Sequence, residues 1–495
     1  MYIKIIKKLV KSKTSVYLAN KYITYVIQFA IVILCAKLLG IKYFAIYSFI
    51  KLLGQYHSYT NLGINFSFNV IASTLKESNK NNLNNLFNNT LFLNFGFIVV
   101  TILMTIFLFS LDIDLLSRYS LKDYIVPIIL YLTLKQLNVL FVTYSRLINN
   151  LRFINIFYLL PVLFELITLL ILFKTHNTLL YVIWSMVLSH FLIFVLFLHQ
   201  YYSNFKITSI NFPSLKNILI KGIMLLIYNF TFYFLLIGAK SFVSKFGSLE
   251  AFSNFSLSSN LVEGLGFAIS AITFLIFPKI LNKYNSKSKA STLSFINNNG
   301  ELYALCLTSL FFCLLLLYPV IEILFVKFTN LSSTIIGLSV SSFLLLNTFL
   351  YSSYLIKKKQ EIYLIKIGIF SISILFLSCF VGLKHNFDLI KTTVISLIIC
   401  NLLYNFLMIS MTFKLLNTPE NIYIKSLKKT IAIQFTFPLY IYIISLVLDI
   451  KLSLILLLFV LLIFVLINRN AYLKIYNKLI QIFTDDNFLS IKGLK

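Results

Sequence analysis

Residues 16–36 read VYLANKYITYVIQFAIVILCA, and Lys21 is the only charge among them. A helix crosses the hydrocarbon core of a bilayer with about 20 predominantly apolar residues, so this one stretch predicts a membrane span. It follows a basic N-terminus (Lys4, Lys7, Lys8, Lys11, Lys13) and no small-residue cleavage site comes after it. It is therefore expected to stay in the protein as the first span and insertion signal rather than to be removed as a signal peptide.

The same pattern recurs along the chain. Further spans are expected at 44–71, 90–111, 124–145, 153–173, 178–200 and 220–240, and then at 252–276, 302–325, 333–356, 362–382, 389–411, 430–448 and 452–468. Of 495 residues, 59% are hydrophobic and 12% charged, and the mean hydropathy is +0.91. That composition leaves no room for a hidden soluble domain. The expected fold class is an all-α, polytopic integral membrane protein with about 14 transmembrane helices, an even number that places both termini on one side.

Basic residues give the side, because short loops rich in lysine and arginine stay in the cytoplasm. The N-terminal lysines, Arg146, Arg152, Lys279, Lys283, Lys287, Lys289, Lys357, Lys358, Lys359, Lys425, Lys428, Lys429, Arg469, Lys474 and Lys478 all fall on one face. Counted over the whole chain, about 28 basic residues lie on that face, about 11 on the other and about four inside spans. Both termini are expected in the cytoplasm. The net charge of +28 then reads as a topogenic signal and a contact for anionic membrane lipids; no nucleic acid partner is expected.

Three regions follow: a six-helix lobe over 1–205, a second over 206–415, and spans 13 and 14 with a basic amphipathic tail over 416–495, the amphipathic part at 471–484. The longest cytoplasmic segments are 72–89, 201–219 and 277–300. Ala36-Lys37 followed by Phe44-Ala45-Ile46-Tyr47-Ser48-Phe49 resembles Ala239-Lys240 followed by Phe252-Ser253-Asn254-Phe255-Ser256-Leu257. This is either an internal repeat with a pseudo-twofold axis along the membrane normal or chance similarity in a chain rich in Phe and Ser. No GxxxxGK[ST] occurs, which excludes ATP hydrolysis of the P-loop type. The cysteines (Cys35, Cys306, Cys313, Cys379, Cys400) and histidines (His57, His176, His190, His199, His385) lack metal-ligand spacing. No catalytic residue, metal or cofactor is expected. Asp112-Ile113-Asp114, the one carboxylate pair in an outer loop, reads as a solvated turn.

Charges inside spans carry the functional signal, since a central lysine costs roughly 2.5–3.5 kcal/mol on insertion scales and needs a cavity or a partner. Lys21, Lys51, Lys135 and Lys366 are such residues, the last close enough to an end to snorkel. Asn20, Lys21 and Gln28 share a helical face in span 1, while Lys51, Gln55, His57, Tyr59 and Asn61 give span 2 a polar face. The candidate substrate-binding residues are therefore Lys21, Lys51, Lys135, Asn20, Gln28, Gln55 and Asn61. Either the lysines line a water-filled cavity or they pair with carboxylates. Glu165 and Glu263 are the carboxylates deep in spans; each is a candidate for a coupling proton or cation, or half of a structural ion pair.

The stretch Ala36-Lys37-Leu38-Leu39-Gly40-Ile41-Lys42-Tyr43-Phe44-Ala45-Ile46-Tyr47 resembles a signature of the polysaccharide and O-antigen flippases, within the multidrug, oligosaccharidyl-lipid and polysaccharide exporter superfamily. Lys37 stands where those proteins tend to have arginine, and Ala45 where they have glycine. Asn61-Leu62-Gly63-Ile64 and Phe277-Pro278-Lys279 fit two further family positions. The resemblance implies a transporter that moves an undecaprenyl-diphosphate-linked glycan (O-antigen, capsule or a similar repeat unit) to the outer leaflet by alternating access, coupled to an ion gradient. It implies glycan polymerase and chain-length machinery as further partners. Lysines would meet the diphosphate as hydrated point charges. A lipid II or drug exporter of the same superfamily remains an alternative, as does a membrane oligosaccharide polymerase or ligase; the short outer loops speak against the last.

Overall fold

The computed structural model describes residues 13–417 except 75–79, 112, 149, 173–174, 176, 202–210, 286–288, 326 and 329–330, and beyond them only 462, 469–470 and 472–473. The expected spans 430–448 and 452–468, apart from Leu462, and most of the tail at 471–484 lie outside the described residues.

All described regular structure is helical. The helices are α1 (Lys13–His57), α2 (Ile64–Thr74), α3 (Lys80–Ser110), α4 (Asp114–Arg118), α5 (Ile125–Leu147), α6 (Leu151–Leu172), α7 (Thr178–Tyr201) and α8 (Phe212–Phe246), then α9 (Leu249–Asn285), α10 (Lys289–Leu324), α11 (Leu331–Leu346), α12 (Phe349–Lys357), α13 (Glu361–Lys384) and α14 (Leu389–Leu416). Among the described residues eight helices, or nine with the bent α8, are long and apolar enough to cross a membrane, with α11 and α12 joined as one. The protein is an all-α polytopic membrane protein.

The chain divides into two compact units, Lys13–Tyr233 and Phe234–Leu489, with the boundary inside α8. In the N-terminal unit α1 packs on α6, α6 on α7, and α7 on α5, while α2 pairs with α3 and both rest on α5. Helix α1 has 45 residues, about 68 Å at 1.5 Å per residue and twice the thickness of a hydrocarbon core. It is two helices meeting at Gly40, whose φ of 73° and ψ of 174° lie outside the helical region, where a residue without Cβ is favoured. The expected first outer turn falls there. The large exposed apolar residues of α3 (Val99, Leu103, Met104, Phe107) and of α6 (Ile167, Leu170, Ile171) present surface that a bilayer solvates without cost.

The unit has an aromatic floor where α2, α3, α5, α6 and α7 converge. Phe68, Phe87, Phe141, Tyr144, Phe153, Phe197 and Tyr201 are all buried in one cluster. Phe141 and Phe197 stack at 3.9 Å with their planes 2° apart. At the opposite end Phe49 stacks on the buried Tyr119 at 4.2 Å, so the short loop after α3 seals the tip of α1. Burial pushes the Tyr119 hydroxyl up from its ordinary range, against the pull of neighbouring Arg118. Asp114 opens α4, whereas Asp112 lies outside the described residues.

One expectation about continuity is corrected. The span expected at 44–71 is not one helix: α1 ends at His57, residues 58–63 form turns, and α2 resumes at Ile64. The break contains Leu62 at φ 49° and Gly63 at φ 74°. Its cause is a close crossing, since a Cβ on Gly63 would sit 2.2 Å from the carbonyl oxygen of Gly222 in α8. Asn61 stabilises the break by accepting a 3.0 Å hydrogen bond from the Gly63 N–H. The polar segments expected to be cytoplasmic, 72–89 and 277–300, are helical over most of their described residues, because α3, α9 and α10 run on past their apolar windows. Hydropathy marks where a helix meets lipid, and says nothing about where its backbone hydrogen bonds stop.

In the C-terminal unit α14 packs against α13 and α11, and α9 against α11. Helix α11 ends at Leu346, and α12 starts after a turn at Asn347 and Thr348. Polar anchoring comes from α14, where Asn401 donates to the Ser341 carbonyl and hydroxyl and Asn405 to the Leu344 carbonyl. Cys379 and Cys400 are buried as free thiols, as is Cys35 in the other unit; the side chain of Cys313 is not among the described ones.

Candidate functional site

The intramembrane lysines of the N-terminal unit form two clusters, and α6 connects them. In the first, the Lys51 ammonium donates to Glu165 Oε2 at 3.2 Å, and the Tyr47 hydroxyl donates to Glu165 Oε1. Glu165 is 5% exposed, while about a third of the Lys51 side chain (36%) stays accessible. Lys135 on α5 donates to the Tyr131 hydroxyl at 3.2 Å. Gly54, one turn beyond Lys51, faces it: a Cβ there would lie 3.4 Å from the Lys135 nitrogen, an ordinary contact. Tyr131 feels both ammonium groups, and His190 of α7 closes the back of the cluster with its ring 5.5 Å from that of Tyr131.

In the second cluster, buried Lys21 lies with its ammonium over the Tyr158 ring, 2.8 Å from the centroid. Tyr17 and Tyr25, one turn to either side of it on α1, hold their rings 5.9 and 5.8 Å from the same ammonium. An ammonium on aromatic faces is stabilised by the ring quadrupoles, worth up to about 2 kcal/mol when desolvated. Arg146, at the end of α5, interacts electrostatically with Tyr158 and Tyr17 and donates to Asn69 Oδ1 at 2.5 Å. Among the described residues the ion pairs found are Lys51–Glu165 and Lys240–Glu263, and Lys21 belongs to neither.

The other candidates distribute as follows. Asn20 donates to the Asn155 carbonyl at 3.2 Å and ties α1 to α6 beside Lys21. Gln55 lies one turn past Lys51, with a buried Oε1 lacking a hydrogen-bond partner. Asn61 belongs to the helix break, and Gln28 is exposed on α1 away from either cluster's contacts. Glu263, in the C-terminal unit, accepts from Lys240 at 2.5 Å, and Lys240 also donates to Asn260 at 3.3 Å. Sequence reasoning misses Tyr47, Tyr131, Tyr158, Arg146 and Lys240 as members of these clusters. The one signal of this kind in the sequence is the i, i+4, i+8 spacing of Tyr17, Lys21 and Tyr25. Among the described residues no group of three His, Cys, Asp or Glu could hold a metal.

The arrangement suits an anion: Lys51 and Lys135 lie by Glu165 and Tyr131, and Lys21 and Arg146 by Tyr158, in a unit otherwise faced with hydrocarbon. The fold is similar to that of several solved membrane-protein structures. A structure of the lipid II flippase MurJ in an inward closed conformation matches with a TM-score of 0.60 at 14% identity, over 92% of this chain and 99% of that one. A mutant form of the Vibrio cholerae MATE transporter VcmN matches at 0.59 and 13% identity, over 85% and 99%. An outward-facing multidrug resistance MATE transporter matches at 0.56 and 13% identity, over 87% and 98%. No family model matches the sequence, and no curated protein matches it.

Proposed function

We propose that this protein is a flippase for an undecaprenyl-diphosphate-linked oligosaccharide, an O-antigen, capsule or similar repeat unit, moved from the inner to the outer leaflet of the bacterial cytoplasmic membrane. The observation that carries the reading is the excess of intramembrane lysines over carboxylates in the N-terminal unit: Lys21, Lys51 and Lys135 against Glu165, with Arg146 beside Lys21. A diphosphate leaving water needs such compensation. Lysine releases its load more readily than a bidentate arginine clamp, which suits a carrier. Asn20 and Gln55 would meet sugar hydroxyls beside these charges, whereas Gln28 and Asn61 lie away from them. The polyprenyl tail stays in lipid, anionic lipids contact the basic loops, both termini face the cytoplasm, and polymerase and chain-length machinery receive the product. Alternating access requires that the ligand bind the two states unequally. Ion-gradient coupling is assigned to Glu263, whose lysine partner can be exchanged for a proton or a cation; Glu263→Gln is expected to remove the pH-gradient dependence of export.

A second reading, lipid II as cargo, is suggested by the fold likeness to the MurJ structure. Both cargoes are prenyl diphosphates. Drug export fits less well, because the cations of the site would repel a cationic drug. The deciding experiment depletes the protein with glycan synthesis intact and measures lipid-linked glycan on each leaflet. Accumulation of complete repeat units on the inner leaflet is the expected result; accumulation of lipid II instead selects the second reading. Normal translocation with unpolymerised units outside overturns both.

A further inference from the structure

The two cationic clusters differ in what already occupies them. Tyr158 and Glu165 are seven residues apart on α6, so their side chains share a face and are separated by about 10 Å along the axis. That is too far for one diphosphate to bridge both. At Tyr158 the ammonium of Lys21 rests on aromatic rings and is held by no carboxylate among the described residues, with Arg146 and its amide partner Asn69 alongside. At Glu165 the carboxylate holds Lys51 on one oxygen and is itself anchored through the other by the Tyr47 hydroxyl. Tyr47 is 3% exposed and Glu165 5%, whereas Lys51 is the partner with accessible surface. The carboxylate is therefore fixed and the ammonium is the member able to leave.

Resting on the flippase reading, we propose that Glu165 is an internal competitor for the substrate's phosphate: the diphosphate binds first at Lys21, and reaches Lys51 only by displacing Glu165 from it. The carboxylate is then a positioning residue. It keeps a half-buried ammonium from trapping any passing anion, and it makes the second station weaker than the first by the strength of one ion pair. Lys135, whose described hydrogen bond is to the Tyr131 hydroxyl and which shares Tyr131 with Lys51, receives the phosphate as Lys51 turns to it. The expected magnitude is about tenfold in affinity, the worth of one charge-assisted hydrogen bond.

The test uses the purified full-length protein in nanodiscs with farnesyl diphosphate as probe and farnesol as the uncharged control. Wild-type protein is expected to bind the diphosphate and not the alcohol, and Lys21→Met to weaken binding at least tenfold. In that Lys21→Met background Glu165→Gln, which keeps the shape and removes the charge, is expected to tighten binding about tenfold. The tightening must vanish when Lys51 is also changed to Gln, because the carboxylate acts through that ammonium. If Glu165→Gln does not yield folded protein, Glu165→Asp, which retracts the carboxylate by one methylene, should shift affinity in the same direction. Unchanged or weaker binding in the Glu165 variants, or equal tightening without Lys51, overturns the competitor role while leaving the flippase reading intact. Absence of diphosphate binding by wild-type protein overturns both.

Discussion

The two units solve the same problem, a charge inside a hydrophobic helix, in different ways. In the C-terminal unit Lys240 and Glu263 neutralise each other one to one at 2.5 Å, with Asn260 as a third partner, and the rest of α9 is lined with small buried hydroxyls at Ser253, Ser256, Ser258 and Ser259. In the N-terminal unit Glu165 takes Lys51, while tyrosine rings and hydroxyls receive Lys21 and Lys135. A matched pair is a finished interaction. The N-terminal set has more cations than carboxylates, which is the charge balance on which the proposed anion site rests.

Glycine contacts give the sharpest contrast to test. A Cβ at Gly63 meets the Gly222 backbone at 2.2 Å and must adopt a positive φ, whereas a Cβ at Gly337 meets only the side chains of Val394, also at 2.2 Å, and Ile398. Gly63→Val is expected to abolish folded protein. Gly337→Ala, where a side chain can turn away, should cost about 1–3 kcal/mol; thermal unfolding of the purified variants compares them. Equal losses would show that the break in the second span is not held by backbone contact.

Next in size are the charge changes. Lys21→Met and Lys51→Met are expected to lower glycan export at least tenfold with the protein still inserted and abundant, measured by surface glycan and immunoblot; normal export with both changed would remove the N-terminal unit from substrate binding. Phe141→Ala should destabilise the N-terminal unit by about 3–5 kcal/mol, since it deletes a fully packed ring, with little change in the C-terminal unit as followed by hydrogen exchange. The matched pair is tested in the same way: Lys240→Met alone strands a carboxylate and should cost about 3 kcal/mol, and adding Glu263→Gln should recover most of it. No recovery in the double variant would mean that the lysine has another role.

Much of the helix placement was legible because hydropathy is a local property: spans 124–145, 153–173, 178–200, 362–382 and 389–411 coincide within a few residues with α5, α6, α7, α13 and α14. The break at residues 58–63 was not legible, because its cause lies about 160 residues away at Gly222. Of the candidate site, the lysines announced themselves by their cost in lipid. Their partners did not, since Tyr158, Tyr131 and Arg146 are ordinary residues on their own helices and become a site only where α1, α5 and α6 meet.

By itself the sequence determined the class of the molecule, an all-helical membrane protein, and that lysines deep in its spans had to be accommodated. The tertiary structure alone decided how: which lysine is ion-paired, which rests on aromatic rings, and which of them the one carboxylate meets. The physical reason is that burying a charge is penalised by the residue's own chemistry, whereas its relief comes from neighbours that only helix packing selects.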